Sequence, residues 1–372
     1  MKEGTIERAR EMGMNARLIG RALATLDEAI AEGETPGGVV AIGRRGRLLT
    51  YASGEAIPAG PDRAPACEDT IYDCASLTKV VATLPLVLQL LDEGRIRLED
   101  PVARYIPAFA SNGKAGVTIR QLLTHTGGLA PFADMHSHGW SPAQILDFVA
   151  DQPLQCEPGT QVVYSDFGFI LLGRLISVVL DRPLDEAAAE RVFAPLGMTD
   201  TGFRPAPALW GRIAPTEHYA YEPGPRWGVV HDENAGAMGG VSGHAGLFST
   251  ARDLSRYAAM WLNEGRGEGA RVLSPLSIRL AACNQTTASA VGNRGLGWAL
   301  KGDKWDASGD LLTGQSYGHT GFTGTSLYVD PALGLTVVLL TNRVHYGRDK
   351  SVARLRAVLH NAVAASLEDL TI

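Results

Sequence analysis

Cysteine is scarce in this chain: Cys67, Cys74, Cys156 and Cys283 are the only four in 372 residues, and none falls in a C-x-x-C pair. A reducing compartment would leave all four as thiols. Long apolar runs are missing too. The longest, Val80 to Leu91, carries Thr83 and Gln89 and falls short of the roughly 20 residues a membrane span needs. Near the start, Lys2, Glu3, Glu7, Arg8, Arg10, Glu11 and Arg17 interrupt any apolar segment that would read as a secretory signal, so a cytoplasmic location is expected. Basic residues form no block and the net charge is −6, which argues against nucleic-acid or anionic-membrane partners. The strongest metal-like cluster, His231-Asp232-Glu233, lacks the His-x-x-x-His spacing of a helical zinc site and reads as a solvated turn. No metal and no cofactor is expected.

What is present fits a protein with a large core, since 45% of the residues are hydrophobic. Leu18, Ile19, Ala22, Leu23, Leu26, Ala29 and Ile30 recur at helical spacing and stop at Gly33, predicting an amphipathic helix over 17–32. Gly37 to Gly43 and Leu48 to Ala52, separated by Arg44-Arg45-Gly46-Arg47, predict a strand hairpin. Helix patterns follow at 119–123, 142–150, 168–180, 184–193 and 251–262, the last opened by Thr250 and Asp253 spaced as a capping-box variant. Strands return at 297–300, 326–329 and 335–340, with Pro331-Ala332-Leu333-Gly334 as a turn, and a helix closes the chain from Val352 to about Leu367. Strands at both ends with helices between imply an α+β fold: one sheet domain from residues 1–70 and 251–372, and a mainly helical domain from 71–250.

The chemistry is carried first by Ser76-Leu77-Thr78-Lys79, opening the apolar run that reads as a buried helix, kinked at Pro85. Positions i and i+3 share a helix face, so the Ser76 hydroxyl and the Lys79 amine can meet as nucleophile and base. Alone, the pair fits equally a helix cap followed by a surface lysine. Partners downstream give it weight. Tyr164-Ser165-Asp166 stands in a polar gap just before an apolar helix, where a phenol can point into a cleft and pass a proton. His319-Thr320-Gly321 precedes the paired strands 326–329 and 335–340.

In that order the three motifs resemble the S-x-x-K, Y-x-N and K-T-G of the penicillin-recognising serine hydrolases, which include class C β-lactamases, low-molecular-mass penicillin-binding proteins and family VIII carboxylesterases. Leu122 to Leu129, Gly246-Leu247-Phe248-Ser249-Thr250 and Gly295-Leu296-Gly297-Trp298 look similar to the same family, so the likeness spans roughly residues 35–345. The resemblance implies a β-lactamase-like fold, an antiparallel sheet flanked by helices beside a mainly helical domain, with the active site in the crevice between. It implies Ser76, Lys79 and Tyr164 as catalytic residues, the backbone N–H groups of Ser76 and Phe322 as oxyanion hole, and Asp166, His319, Thr320 and Gly321 as substrate-binding positions. Two of these depart from the common pattern. Asp166 replaces the usual asparagine and can hold Lys79 protonated, shifting proton removal to Tyr164. His319 replaces the usual lysine and is mostly neutral at pH 7, which weakens the case for β-lactam or D-alanyl substrates. The expected activity is hydrolysis of a small-molecule carboxylic ester through an acyl-enzyme on Ser76. Its alternatives are a β-lactamase or D-alanyl peptidase, and a penicillin-binding protein without turnover.

One rival nucleophile exists. Gly314-Gln315-Ser316-Tyr317-Gly318 matches the G-x-S-x-G elbow, but the elbow needs a helix after the serine, and residues 320–329 read as turn and strand. His125 and His244, each close to glycines, read as hydrogen-bonded loop supports. Trp210, Tyr219, Tyr221 and Trp227 lie in a long Pro- and Gly-containing loop, 199–240, which either lines the substrate pocket or pins itself to the helices. The sequence is silent on oligomeric state.

Overall fold

In the computed structural model, residues 3–288, 290 and 292–370 are described. Ten strands occur among them: β1 (Gly37–Arg44), β2 (Arg47–Ile57), β3 (Ala64–Pro65), β4 (Tyr72–Asp73), β5 (Gly202–Phe203), β6 (Leu247–Ser249), β7 (Ala299–Leu300), β8 (Tyr317–Thr320), β9 (Ser326–Asp330) and β10 (Leu335–Thr341). Seven of them form one antiparallel sheet in the order β3-β2-β1-β10-β9-β8-β7. The two ends of the chain meet at its centre, where β1 pairs with β10 from Gly38 opposite Thr341 to Arg44 opposite Leu335. The fold is α+β, as the sequence predicts.

Side-chain alternation builds two layers on this sheet. Val40, Ile42, Leu335, Val337 and Leu339 face Ile19, Leu23, Leu26, Leu355 and Leu359 of the helices Ala16–Ala31 and Ala353–Ala365. Val39, Ala41, Val338 and Leu340 face the other way, into a core shared with Tyr257 and Trp261 of the helix Ala251–Leu262. That core runs on without a break into the helical part through Val80, Leu86, Phe167 and Phe169.

Local signals set the boundaries. Asn15 caps the helix Ala16–Ala31 by accepting from the Arg17 and Leu18 N–H groups, and Gly33 beyond its end takes φ +71°. The β1–β2 hairpin closes on two residues, Arg45 and Gly46, at φ +54° and +68°. Positive φ at both central residues of so short a loop is the hairpin turn whose twist matches the strands. Thr250 accepts from the Asp253 N–H at 3.2 Å, the expected cap.

Two unforeseen features bear on the site. First, β4, β6 and β5 form a separate three-stranded sheet inside the stretch read as mainly helical; strands of two or three residues are too short to show alternation. Second, the helix after Ser76 carries its irregularity just ahead of Pro85. Lys79–Thr83 is a π-turn and the α-helix proper runs Leu84–Asp92, with Pro85 in its first turn. Proline has no N–H to donate and its ring clashes with the carbonyl four residues back, so the wider turn falls where regular bonding would fail.

Candidate active site

Strand β4 delivers the chain to a sharp turn. Cys74 N–H donates to the Leu247 carbonyl at 2.8 Å, extending the pairing with β6. Ala75 then adopts φ +46°, a left-handed conformation that costs an alanine on the order of 1 kcal/mol or more. Its N–H is held by Asp73 Oδ1 at 2.8 Å. Ser76 follows at the mouth of the helix, on the wall of a cleft of about 410 Å³.

Lys79 lies one turn on and is completely buried. Its Nζ donates to Ser76 Oγ at 3.1 Å and to the His244 carbonyl at 3.2 Å, and sits 2.7 Å from Asp166 Oδ1. Burial pulls the lysine pKa down, but Asp166 and Tyr164 outweigh it and the net direction is upward. Lys79 is therefore an ammonium that donates to the serine oxygen. Asp166 reaches it because Ser165 and Asp166 open the helix Asp166–Leu180, and the Tyr164 ring lies over the ammonium at 5.0 Å from its centroid.

Tyr164 is wedged among rings: His125 at 4.4 Å, Trp305 at 5.5 Å and His319 at 5.9 Å between centroids. His125 Nδ1 accepts from the Ser165 N–H at 3.0 Å, so the backbone on either side of the phenol is fixed. The His319 Nδ1–H donates to the Thr320 carbonyl at 2.8 Å, which leaves Nε2 as the acceptor. Burial first, then Arg294 and Lys79, push the pKa of His319 well below the usual imidazole value. It is a neutral side chain.

The turn between β8 and β9 forms the facing wall. Gly321 is required there by close contact: a Cβ would lie 2.1 Å from Thr325 Oγ1 and 2.5 Å from the Cys74 carbonyl. That proximity brings Phe322 next to the serine turn. Among the described residues, neither the Ser76 nor the Phe322 N–H has a hydrogen-bond partner, so both donors are free. The Phe322 ring is half-exposed, stacked on His231 at 5.7 Å and capped by the Arg343 guanidinium at 4.7 Å.

All the sequence-predicted site residues thus gather around one cleft or its floor: Ser76, Tyr164, His319, Thr320, Gly321 and Phe322 line it, while Lys79 and Asp166 lie beneath. Several wall residues were missed. Arg294 is fully buried, reaches Asp303 at 3.4 Å and the Gly297 carbonyl at 3.2 Å, and keeps an unpartnered Nε. Trp305 is half-exposed on the cleft wall, 5.5 Å from the Tyr164 ring. Arg343, Lys350 and Arg356 bring positive charge, the two arginines giving their bonds to backbone carbonyls instead of carboxylates. Only Arg294 had a local signal, standing directly before Gly295-Leu296-Gly297-Trp298.

Other expectations resolve plainly. Ser316 is 1% exposed, its hydroxyl has no partner, and β8 begins directly after it, so it is no elbow. The loop 199–240 contributes no wall to the cleft. Its tryptophans pin it down instead, with Trp227 Nε1 donating to the Trp210 and Ile213 carbonyls at 2.9 Å each. The triplet 231–233 is split: His231 goes to Glu217 at 2.8 Å, Glu233 to Arg348, and Asp232 to His244 at 3.0 Å. Asp166, Asp232 and His244 place ligand atoms within 4.8 Å of one another, but the Lys79 ammonium already supplies a cation to that group. No helix of the described residues is long and apolar enough to cross a membrane.

Comparison with known proteins places the chain and its fold. A family model described as Beta-lactamase matches residues 22–362. A protein of Escherichia coli (strain K12) named as a D-alanyl-D-alanine carboxypeptidase is 34% identical over 307 residues, covering 74% of this chain and 70% of its own. Among solved structures, EstCE1, titled a hydrolase with promiscuous acyltransferase activity, superposes with TM-score 0.74 and 25% identity over 94% of this chain and 99% of that one. A class C beta-lactamase gives TM-score 0.76 and 21% identity over 95% and 97%.

Proposed function

The chain belongs to the Beta-lactamase family of serine hydrolases, and from that premise we propose that it cleaves small carboxylic esters through an acyl-enzyme on Ser76. The observation that carries this reading is the Lys79 ammonium, clamped by Asp166 against Ser76 Oγ below two free N–H groups. A protonated Lys79 cannot take the serine proton, so that task passes to Tyr164 reacting as its phenolate, whose charge the Lys79 ammonium over its ring offsets. Ser76 Oγ then bonds to the substrate carbonyl carbon, and the oxyanion is received by the Ser76 and Phe322 N–H groups. Collapse breaks the C–O bond, and the alkoxide leaves with the proton held by Tyr164. Water repeats the sequence in reverse, giving its proton to Tyr164 and freeing the acid and Ser76. The neutral His319 supports an ester in preference to a substrate needing a fixed cation at that position. The likeness to EstCE1, titled a hydrolase with promiscuous acyltransferase activity, supports acyl transfer.

A second reading, hydrolysis of D-alanyl peptides, is favoured by the name of the 34% identical relative and by the positive charge of Arg343, Lys350 and Arg356 at the cleft. The test is turnover of p-nitrophenyl esters, nitrocefin and an N-acyl-D-alanyl-D-alanine by wild type and Ser76→Ala. Ester turnover that Ser76→Ala abolishes supports the first reading. Release of D-alanine without ester turnover replaces it with the second, and ester turnover that survives in Ser76→Ala removes both.

A further inference from the structure

We propose that Asp73 is the positioning residue that holds both arms of the oxyanion hole in register, an inference that rests on the Ser76 acyl-enzyme proposed above. Asp73 is 2% exposed, and among the described residues its carboxylate bonds only to backbone N–H groups: Ala75 at 2.8 Å and His231 at 2.6 Å. Burial without a cation pushes the Asp73 pKa up, and the two backbone donors offset that cost in part.

Each of its contacts acts on the site. The bond from the Ala75 N–H fixes the one left-handed residue of the nucleophile turn, whose φ of +46° aims the next N–H, that of Ser76. The bond from the His231 N–H anchors the imidazole that stacks on the Phe322 ring, the residue supplying the second donor. The Asp73 main-chain carbonyl adds a third tie, accepting from Thr323 Oγ1 at 2.7 Å in the turn that carries Phe322. Thr325 Oγ1 repeats this one residue along, donating to the Cys74 carbonyl at 3.1 Å. The two donor-bearing segments are 246 positions apart in sequence, Ser76 against Phe322, and Asp73 is bonded toward both. Without its carboxylate, Ala75 loses the acceptor that holds a disfavoured φ, and relaxation of that angle swings the Ser76 N–H away from the oxyanion position. Donors must sit within a few tenths of an ångström of that position to act.

The test compares wild type with Asp73→Asn and Thr323→Val, each assayed well below its own melting temperature. Asp73→Asn keeps the size but turns one acceptor oxygen into an NH2 group facing an N–H. Thr323→Val keeps the shape and removes only the bond to the Asp73 carbonyl. The readouts are kcat and KM on a p-nitrophenyl ester, and the rate at which a fluorophosphonate labels Ser76, where the Oγ–P bond forms as fluoride leaves and the hydroxyl proton passes to solvent. The expected result for Asp73→Asn is a kcat and a labelling rate each down about 100-fold, of the size seen on losing one oxyanion donor, with KM within about threefold of wild type. Thr323→Val is expected to lose about tenfold in the same two quantities. A structural role alone would lower the melting temperature and leave the folded protein's kcat and labelling rate as in wild type, and that result overturns the proposal. If Asp73→Asn does not fold, Thr323→Val decides. Wild type labelled at a residue other than Ser76 overturns the acyl-enzyme reading and this inference together, an outcome distinct from equal labelling of Ser76 in all three proteins.

Discussion

Asp166→Asn removes the carboxylate 2.7 Å from a fully buried ammonium and keeps everything else. Two consequences follow from the same loss. Removing one partner of a buried ion pair costs about 3–5 kcal/mol. With an unfolding entropy near 0.8 kcal/mol/K for a chain of this length, the melting temperature drops by about 5 °C. Catalysis responds through the lysine charge. In wild type, Asp166 and Tyr164 raise the Lys79 pKa against burial; with Asp166 gone, burial prevails and the value falls, buried lysines reaching about 5–6. The ammonium fraction then shrinks as the pH rises, so kcat falls toward pH 8 and above and recovers as the pH is lowered. The sign of the stability profile also inverts. In wild type the folded pKa exceeds the unfolded one, so the pair's contribution is full below the unfolded value and lost as pH rises through the folded one. In the variant it is full above the unfolded value and lost as pH falls. Steady-state kcat from pH 5.5 to 9.5, with melting temperatures at the same pH values, checks both. A rise in kcat at pH 8 would refute the reasoning, because it would mean that free Lys79 amine, not Tyr164, accepts the serine proton.

Gly321→Ala places a methyl against Thr325 Oγ1 and the Cys74 carbonyl, so the Phe322 turn must move off the nucleophile turn; kcat is expected to fall at least about 100-fold, on the scale of one lost oxyanion donor, while circular dichroism stays native-like. Phe322→Ala removes a half-exposed ring from the cleft wall together with its stack on His231, so KM for aromatic esters rises and kcat falls by about tenfold, short of the loss of a whole donor. His125, His319 and His360 are all buried with pKa lowered by desolvation, His360 to about 4. Stability from these groups is full above the unfolded imidazole value of about 6.5 and lost as pH falls below it. The melting temperature therefore declines between pH 6.5 and 4, and His360→Gln makes that decline shallower.

Much of the architecture was legible because it rests on period and punctuation. The helix Ala16–Ala31 has seven apolar positions on one stripe and a glycine at its end, and the central hairpin has a Gly-containing turn between apolar runs. The β4-β6-β5 sheet was not legible, since two residues such as Tyr72–Asp73 cannot display a period. At the site, Ser76, Lys79 and Tyr164 were visible through their spacing and through the polar gaps before apolar helices. Trp305, Arg343 and Arg356 carried no such mark, because only the tertiary fold brings them to the cleft. Asp73 was equally hidden. An aspartate three residues before a serine looks like any turn residue until Ala75 is seen at positive φ with its N–H on that carboxylate. For the loop 199–240 the sequence left pocket lining and self-fastening open, and the structure shows Trp227 fastened to the Trp210 and Ile213 carbonyls within the loop itself.

The most direct test of the account is to trap the covalent intermediate. Wild-type protein mixed with a slowly hydrolysed p-nitrophenyl ester, acid-quenched within the first turnover, digested and sequenced by tandem mass spectrometry should carry one acyl group, on the peptide holding Ser76. An acyl group on Ser316 or on any other side chain, with Ser76 unmodified, would contradict it.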